Sequence, residues 1–310
     1  MNGKQVVVLL ALAATLAFVL NQNSASRAPE FEAWKTKFSV KFNSEMENAY
    51  REKIFLENLA KMHAHNSDEF RTYSMGINQF SALTEEEFIS TYLGYIPQSD
   101  NVVEEDGTDV HLGDVDWMSQ GAVTPIKNQG QCGSCWAFST TGGLEGLSKL
   151  AYGELKSFSE SQLVDCSSSY GNKGCQGGLM DNAFKFVKAK GIVTEEEYPY
   201  EAKQNKCKIP GGPFKISGFT DIKTCNALAT ALNERPVSVA VDASKWSTYK
   251  GGVFSTCGTQ LNHGVLLIGA TEKEWKVKNS WGTTWGENGT IRLARGNTCG
   301  ICNVASYPNK

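Results

Sequence analysis

Apolar residues divide the chain into stretches of different texture. Val6 to Leu20 is almost wholly apolar, follows Lys4, and gives way to the small polar run Asn21 to Ser26. That order reads as a signal peptide over residues 1–24. This 15-residue stretch, apolar except at Thr15, falls short of the roughly 20 that a spanning helix needs, so a membrane anchor is the weaker reading. From Pro29 to about Asn66 the spacing is helical, with Phe31, Trp34 and Phe38 on one face and Ile54, Phe55, Leu59 and Met62 on another, which predicts two helices. Thr84-Glu85-Glu86-Glu87 has the capping-box arrangement and predicts a short helix through Phe88 and Tyr92. Pro97 to Asp109 is acidic and weakly apolar, as expected of an exposed, cleavable linker.

Beyond the linker, Ser134 to Tyr152 carries Ala137, Leu144, Leu147 and Leu150 before Gly153, and Leu179 to Lys190 carries Ala183, Phe184 and Val187 before Gly191. Both read as helices stopped by glycine. After Gly212 the pattern turns to strands: Val237–Val241, Val265–Ile268, Trp275–Lys278 and Thr290–Leu293. The fold class is therefore α+β, a helical half followed by a mostly β half, behind a helical N-terminal segment. No internal repeat or low-complexity tract interrupts it.

Composition narrows the function. The 310 residues are 41% hydrophobic and 20% charged, enough for a sizeable core. The formal charge of -3 without a long basic run argues against a nucleic-acid partner. No later stretch is long and apolar enough to span, so the exported product is expected to work without a membrane. Nine cysteines occur, all from Cys132 onward. Exported cysteines are usually paired, and nine is odd, so at least one thiol is left over. Catalysis is one reason to keep it.

The sharpest motif is Gln129-Gly130-Gln131-Cys132-Gly133-Ser134-Cys135-Trp136. Cys132-x-x-Cys135 could belong to a redox pair, or to a zinc site completed by Cys299-x-x-Cys302. The redox reading wants a preceding strand that is not found. Neither accounts for Leu261-Asn262-His263-Gly264-Val265 or for Lys278-Asn279-Ser280-Trp281-Gly282, whose His263 and Asn279 lie 128 and 144 residues after Cys135.

Together these motifs resemble the papain-like cysteine proteases, in particular their cathepsin L-like members, from about Phe31 to Pro308. The resemblance implies a papain-like two-domain fold, with a helical left domain, a β-barrel-like right domain, a cleft between them and an N-terminal helical prosegment. It implies a prosegment over residues 25–110 and a peptidase domain over 111–310. By resemblance Cys135 is the nucleophile, His263 its proton partner, Asn279 the group orienting that ring, and Gln129 an oxyanion donor. Trp281 matches the family tryptophan that shields the asparagine. Gly177, Gly178, Leu179 and Met180 match the segment that receives substrate backbone and lines the S2 pocket. Ala240, Leu261, Asn262 and Val304 match further positions around the cleft. None of the pocket residues is charged, so an apolar P2 residue is expected.

The resemblance also implies disulfides Cys132–Cys175, Cys166–Cys207 and Cys257–Cys299. Cys225 and Cys302 have no counterpart, and form either an added bridge or two thiols; export favours the bridge. Glu47, Arg51, Phe55, Asn58, Met62 and Asn66 match the spaced motif of the long prosegment helix, where Glu47 and Arg51 read as an i,i+4 pair. Gly76-Ile77-Asn78-Gln79-Phe80 resembles the second prosegment motif, but Ala82 stands where that motif carries aspartate, so one pH-sensitive contact is expected to be absent. Two more departures are Asn262, where several members have aspartate, and the short segment from Gly269 to Trp275. No occluding loop is evident, which favours endopeptidase action.

The implied protein is a secreted or lysosomal cysteine endopeptidase zymogen, acting on protein and peptide substrates and inhibited by its own prosegment. It is expected to need no cofactor or metal, to be a monomer, and to reside in the secretory pathway, in a lysosome-like acidic vacuole or outside the cell. The alternative is a catalytically silent binding protein on the same fold.

Overall fold

In a computed structural model of the chain, residues 29–97 and 113–310 are described. The signal-peptide reading and nearly all of the linker lie outside them. Among the described residues no helix is long and apolar enough to cross a membrane.

The N-terminal segment builds a small core of its own. Helix α1 (29–38) lays Phe31 and Trp34 against Phe55 and Leu59 of α2 (Glu45–Asn66), and Ala82 closes the cluster. Ser44 caps α2 by accepting the Glu47 N–H. Strand β1 (Tyr73–Met75) follows, tied back to α2 where the Asn66 side chain donates to the Met75 carbonyl and accepts its N–H. Helix α3 (Glu85–Tyr92) starts at a complete Thr84/Glu87 capping box, as its sequence predicts.

The remaining chain forms two halves with separate cores. One half packs α4 (Cys135–Tyr152), α5 (Glu160–Cys166) and α6 (Met180–Lys190) around Leu144, Leu163, Phe184 and Val187. The other is a twisted sheet. In chain order its strands are β2 (Val115–Asp116), β3 (Gly218–Ile222), β4 (Val237–Val241), β5 (Tyr249–Phe254), β6 (His263–Ala270), β7 (Glu274–Lys278), β8 (Thr290–Ala294) and β9 (Ala305–Asn309). A helix, α7 (Cys225–Leu232), packs among them. Strand order is β1-β5-β8-β7-β6-β4-β9-β3, with β2 paired to β6. The prosegment thus supplies an edge strand, its Tyr73 opposite Gly252 of β5. Gly252 sits at φ +97°, and a Cβ there would lie 2.6 Å from the Thr72 carbonyl oxygen. Only glycine admits that approach.

Four disulfides close the structure: Cys132–Cys175, Cys166–Cys207, Cys225–Cys302 and Cys257–Cys299, leaving Cys135 as the free thiol. The added bridge ties the start of α7 to a segment already held by Cys299. It spans 77 residues, and loop closure of that length stabilises by at most about 4.5 kcal/mol. Replacing both Cys225 and Cys302 by serine is expected to lower the melting midpoint by about 5–10 °C. Differential scanning calorimetry of the two precursors measures this, and an unchanged midpoint rejects the stabilising role.

Two expectations for the prosegment need correction. Arg51 does not pair with its helix neighbour: its guanidinium donates to Glu87 at 2.7 Å and to the Ala82 carbonyl at 3.2 Å, while Glu47 accepts the Asn43 N–H. The contact expected to be lost at Ala82 is replaced, since Ala82 is buried and Glu87 supplies a carboxylate from α3 instead. The hydrogen bond from Arg51 holds the Glu87 carboxyl below its ordinary value. A depressed carboxylate stabilises above its unfolded pKa, about 4.5, and that contribution is lost as pH falls through the lower folded value. Both side chains are partly exposed, so the pair is worth less than about 1 kcal/mol. Glu87→Gln is expected to flatten the acid limb of precursor stability below about pH 4.5, read by thermal melts from pH 3 to 7. Identical acid limbs for both proteins argue against it.

Candidate active site

Cys135 is the first residue of α4, where the helix presents N–H groups without intrahelical acceptors. The facing strand β6 begins at His263, opposite Val241 of β4. The Gly264 N–H donates to the Cys135 sulfur at 3.4 Å, so the thiol touches the residue that follows His263 where the two halves meet. His263 Nε2 lies 2.8 Å from Asn279 Oδ1, which also accepts the Ser280 N–H. An amide oxygen only accepts, so Nε2 carries the proton. His263 Nδ1 is buried and has no hydrogen-bond partner among the described residues. In the neutral ring it is the basic nitrogen.

Trp281 stacks on the His263 ring at 4.6 Å and donates its indole N–H to Gln129 Oε1 at 3.1 Å. Ser280 Oγ donates to the same oxygen. Both acceptor directions of the Gln129 amide are thereby used, and its Nε2 is turned toward the Cys132 and Tyr92 carbonyls, at 2.8 and 2.9 Å. Tyr92 belongs to the prosegment, so a prosegment carbonyl occupies the amide donor next to the thiol.

The chain after α3 runs through the cleft. Gly94 N–H donates to the Cys135 sulfur at 3.3 Å, and its carbonyl accepts the Gly178 N–H. Tyr95 N–H donates to the Asn262 carbonyl and Ile96 N–H to the Gly178 carbonyl. Both walls are therefore held by main-chain bonds. Gly177 and Gly178 permit this: a Cβ on Gly177 would lie 2.8 Å from the Gly94 oxygen, and one on Gly178 would strike the Trp136 ring at 2.7 Å. The Tyr95 ring is buried in the cluster that contains Met180, Ala240 and Leu261, with Leu179 and Val304 packed at its edge. Five residues expected from sequence around the cleft thus belong to, or pack against, the same cluster as that ring. The Asn262 amide spans its loop, accepting the Ala243 N–H and donating to Ser244 Oγ, where an aspartate could only accept at both atoms.

With the cleft covered, burial pushes the Cys135 thiol up to about 11, against the opposing hydrogen bonds from backbone N–H groups. Burial pushes His263 down to about 4, against the Asn279 hydrogen bond. In this closed form burial works against the charged state of both partners. Water readmitted to the cleft removes the cause of both shifts.

The sequence reading did not single out Gly94, Tyr95 or Tyr200. Gly94 and Tyr95 lie in an irregular stretch without periodicity, and the Tyr200 hydroxyl becomes notable only once it reaches Gln129 and Ser134. No cluster of possible metal-binding side chains occurs among the described residues.

Comparison with known proteins defines the class. Residues 113–309 match the papain family cysteine proteases and residues 31–88 the cathepsin propeptide inhibitor domain (I29). The chain belongs to the papain family of cysteine proteases. Within it, the chain is 44% identical over 283 residues to cathepsin L 2 of Paramecium tetraurelia, covering 89% of this chain and 90% of the relative. It is 42% identical over 314 residues to digestive cysteine proteinase 1 of Homarus americanus, covering 94% and 98%. The solved structure of digestive procathepsin L 3 from the Tenebrio molitor larval midgut superposes with a TM-score of 0.83 at 40% identity, over 91% of this chain and 98% of that one. This is a cathepsin L-like cysteine endopeptidase zymogen, with its own prosegment as inhibitor and proteins as substrates. Cathepsin L-like members of the family are generally secreted or lysosomal.

Proposed function

We propose that Cys135 attacks the peptide carbonyl, that His263 moves the protons, and that Asn279 holds the imidazole in the productive tautomer. The observation that carries this reading is the pocket itself: the one free thiol at the start of α4, beside a histidine whose far nitrogen is fixed at 2.8 Å by Asn279. In the cleared cleft the thiol proton passes to His263 Nδ1, and the α4 N-terminus favours the thiolate. The thiolate adds to the carbonyl carbon, and Gln129 Nε2 with the Cys135 N–H receives the developing oxyanion. His263 then protonates the departing amine, and afterwards takes a proton from the water that breaks the thioester. Trp281 shields the His263–Asn279 contact and orients Gln129. Titration of the activated enzyme with an epoxide thiol inhibitor is expected to abolish activity at one equivalent, with the adduct on Cys135 by mass spectrometry. Full activity after modification, or an adduct elsewhere, rejects the assignment.

The pocket formed by Leu179, Met180, Ala240, Leu261 and Val304 is assigned as the P2 site, with Gly177, Gly178 and Asn262 receiving substrate backbone. Seating of Tyr95 in that cluster supports acceptance of bulky apolar and aromatic P2 residues. An unpaired arginine there would be buried without a counter-charge. A Leu-Arg or Phe-Arg fluorogenic substrate is expected to be cleaved at least about tenfold faster than Arg-Arg, since discriminating burial of roughly 1.4 kcal/mol suffices. Equal kcat/KM values contradict this pocket.

The working boundaries are a signal peptide at 1–24, a prosegment at 25–110 and a peptidase domain at 111–310. The matched spans support the second and third of these. The mature enzyme acts as a monomer in an acidic vacuole or outside the cell, after cutting its own linker near residues 109–112.

A further inference from the structure

The chain contains one Asn-x-Ser/Thr triplet, Asn288-Gly289-Thr290. Such a triplet accepts an N-linked glycan in an exported protein, provided the fold leaves its asparagine on the surface. Here it forms the tip of a tight hairpin: the Glu287 N–H donates to the Thr290 carbonyl at 2.9 Å, and the Thr290 N–H to the Glu287 carbonyl at 3.2 Å. Asn288 and Gly289 both have positive φ, +53° and +93°, as the primed turn of a two-residue hairpin requires. The underside of the tip is closed. A Cβ on Gly289 would lie 2.4 Å from Ile126 Cγ2, and Thr290 is buried with its hydroxyl donating to the Glu287 carbonyl. Asn288 is exposed, and its side-chain amide has no hydrogen-bond partner among the described residues.

Resting on the export proposed above, we propose that Asn288 carries an N-linked glycan, placed beside the strand edge that maturation uncovers. The four disulfides mark a chain folded in an oxidising compartment of the secretory route, where this modification is made. Transfer precedes folding, while Thr290 is still accessible. Asn288 Nδ2 bonds to C1 of an oligosaccharide held on a lipid diphosphate; the C1–O bond to phosphate breaks, the lipid diphosphate leaves with its electron pair, and the amide gives up one proton. Nothing is oxidised or reduced. The hairpin lies against β5: a Cβ on Gly286 would lie 3.3 Å from the Tyr249 ring, and Glu287 accepts the Gly252 N–H at 3.0 Å. Asn288 also shares one groove with Met75 of β1 and with Tyr249 and Lys250 of β5. A sugar there is anchored at the flank from which the prosegment strand departs, and it stays on the peptidase afterwards. Unpaired strand edges invite pairing with a second chain, and proteins guard them by covering or charging them. A solvated glycan is such a cover.

The full-length chain is secreted from cultured insect cells, and its peptides are treated with peptide N-glycosidase in heavy-oxygen water. The expected result is a sugar mass lost from the peptide that contains residue 288, with labelled aspartate left in its place. Asn288→Gly, which suits the positive φ, and Thr290→Ala each remove the acceptor and are expected to lack that mass. An unmodified Asn288 in the secreted parent overturns the site. The edge is tested by light scattering of precursors and of enzymes matured with added pepsin, all blocked at Cys135 so that self-digestion does not contribute. Removing the sugar, by Asn288→Gly or by native deglycosylation of the parent, is expected to move the mature enzyme from monomer toward about twice that mass, as edge-to-edge pairing of two copies dictates. The precursor is expected to stay monomeric, because β1 still pairs the edge. A bare mature enzyme that remains monomeric, or a bare precursor that associates as well, overturns the screening role. Native deglycosylation needs no substitution, so it decides where a variant does not fold. If the intact chain is not secreted, it is the export reading that fails, and the same peptide analysis of the chain behind the host's own leader decides the site.

Discussion

Cys135→Ser precursor is expected to stay intact for hours at pH 4 to 5 under conditions where the parent protein cuts its linker. Activity on a Leu-Arg substrate, after maturation by added protease, should fall by about 10⁴-fold or more, the scale seen when a nucleophile that works with its base is removed. Two features set that size. A serine hydroxyl is far less acidic than a thiol, and the neutral Asn279 amide gives the imidazole no carboxylate with which to offset a charge developing on its own. Gel analysis of the purified variant reads the first outcome and initial rates the second. Conversion of the variant by itself would show that another molecule performs the cut.

Gly94→Ala is expected to release the active site without cleavage. A Cβ on Gly94 would lie 1.9 Å from the Gly133 carbonyl oxygen and 2.4 Å from its carbon, both main-chain atoms held beside the Cys132–Cys175 bridge. Neither can move far, so the strain falls on the prosegment. Misfits of this kind cost about 1–3 kcal/mol. The Tyr92 carbonyl would then leave Gln129, and the Gly94 N–H the sulfur. Iodoacetamide labelling of uncut precursor at pH 7 is expected to rise roughly tenfold to a hundredfold, in line with that cost. Gly218→Ala, where the nearest atom to the added carbon is Lys188 Nζ at 3.8 Å, is the control. If both precursors label at the parental rate, the Gly94 contact does not hold the cleft shut.

Much of this arrangement is legible in the chain. Val237–Val241 reads as a strand and is one, because both of its faces are buried and every residue is β-prone or small. The start of α4 at Cys135 follows from Ser134 and the apolar spacing behind it. What escapes notice has identifiable causes. Strand β5 contains Gly251-Gly252, which erases alternation, and β9 contains Pro308. Helix α7 sits inside the β half, and its run Cys225 to Leu232 is too short for periodicity to declare itself. Helix α5 buries nearly every residue, polar ones included, so no face can be read. In the site, motifs locate Cys135, His263, Asn279 and Gln129, whereas Tyr92, Gly94 and Tyr95 matter only because a backbone crosses the cleft there. Pairing of Arg51 with Glu87 is equally invisible, since 36 residues separate them and a nearer glutamate competes.

The edge strand lent by the prosegment has an implication far from the thiol. When Tyr73–Met75 departs, the outer main-chain groups of Tyr249–Phe254 lose their partners across a flank shaped by glycine to accept a backbone and little else. Maturation therefore strips a ribbon from the molecule as well as unblocking its cleft. The activated protease carries a bare seam that its precursor never displayed.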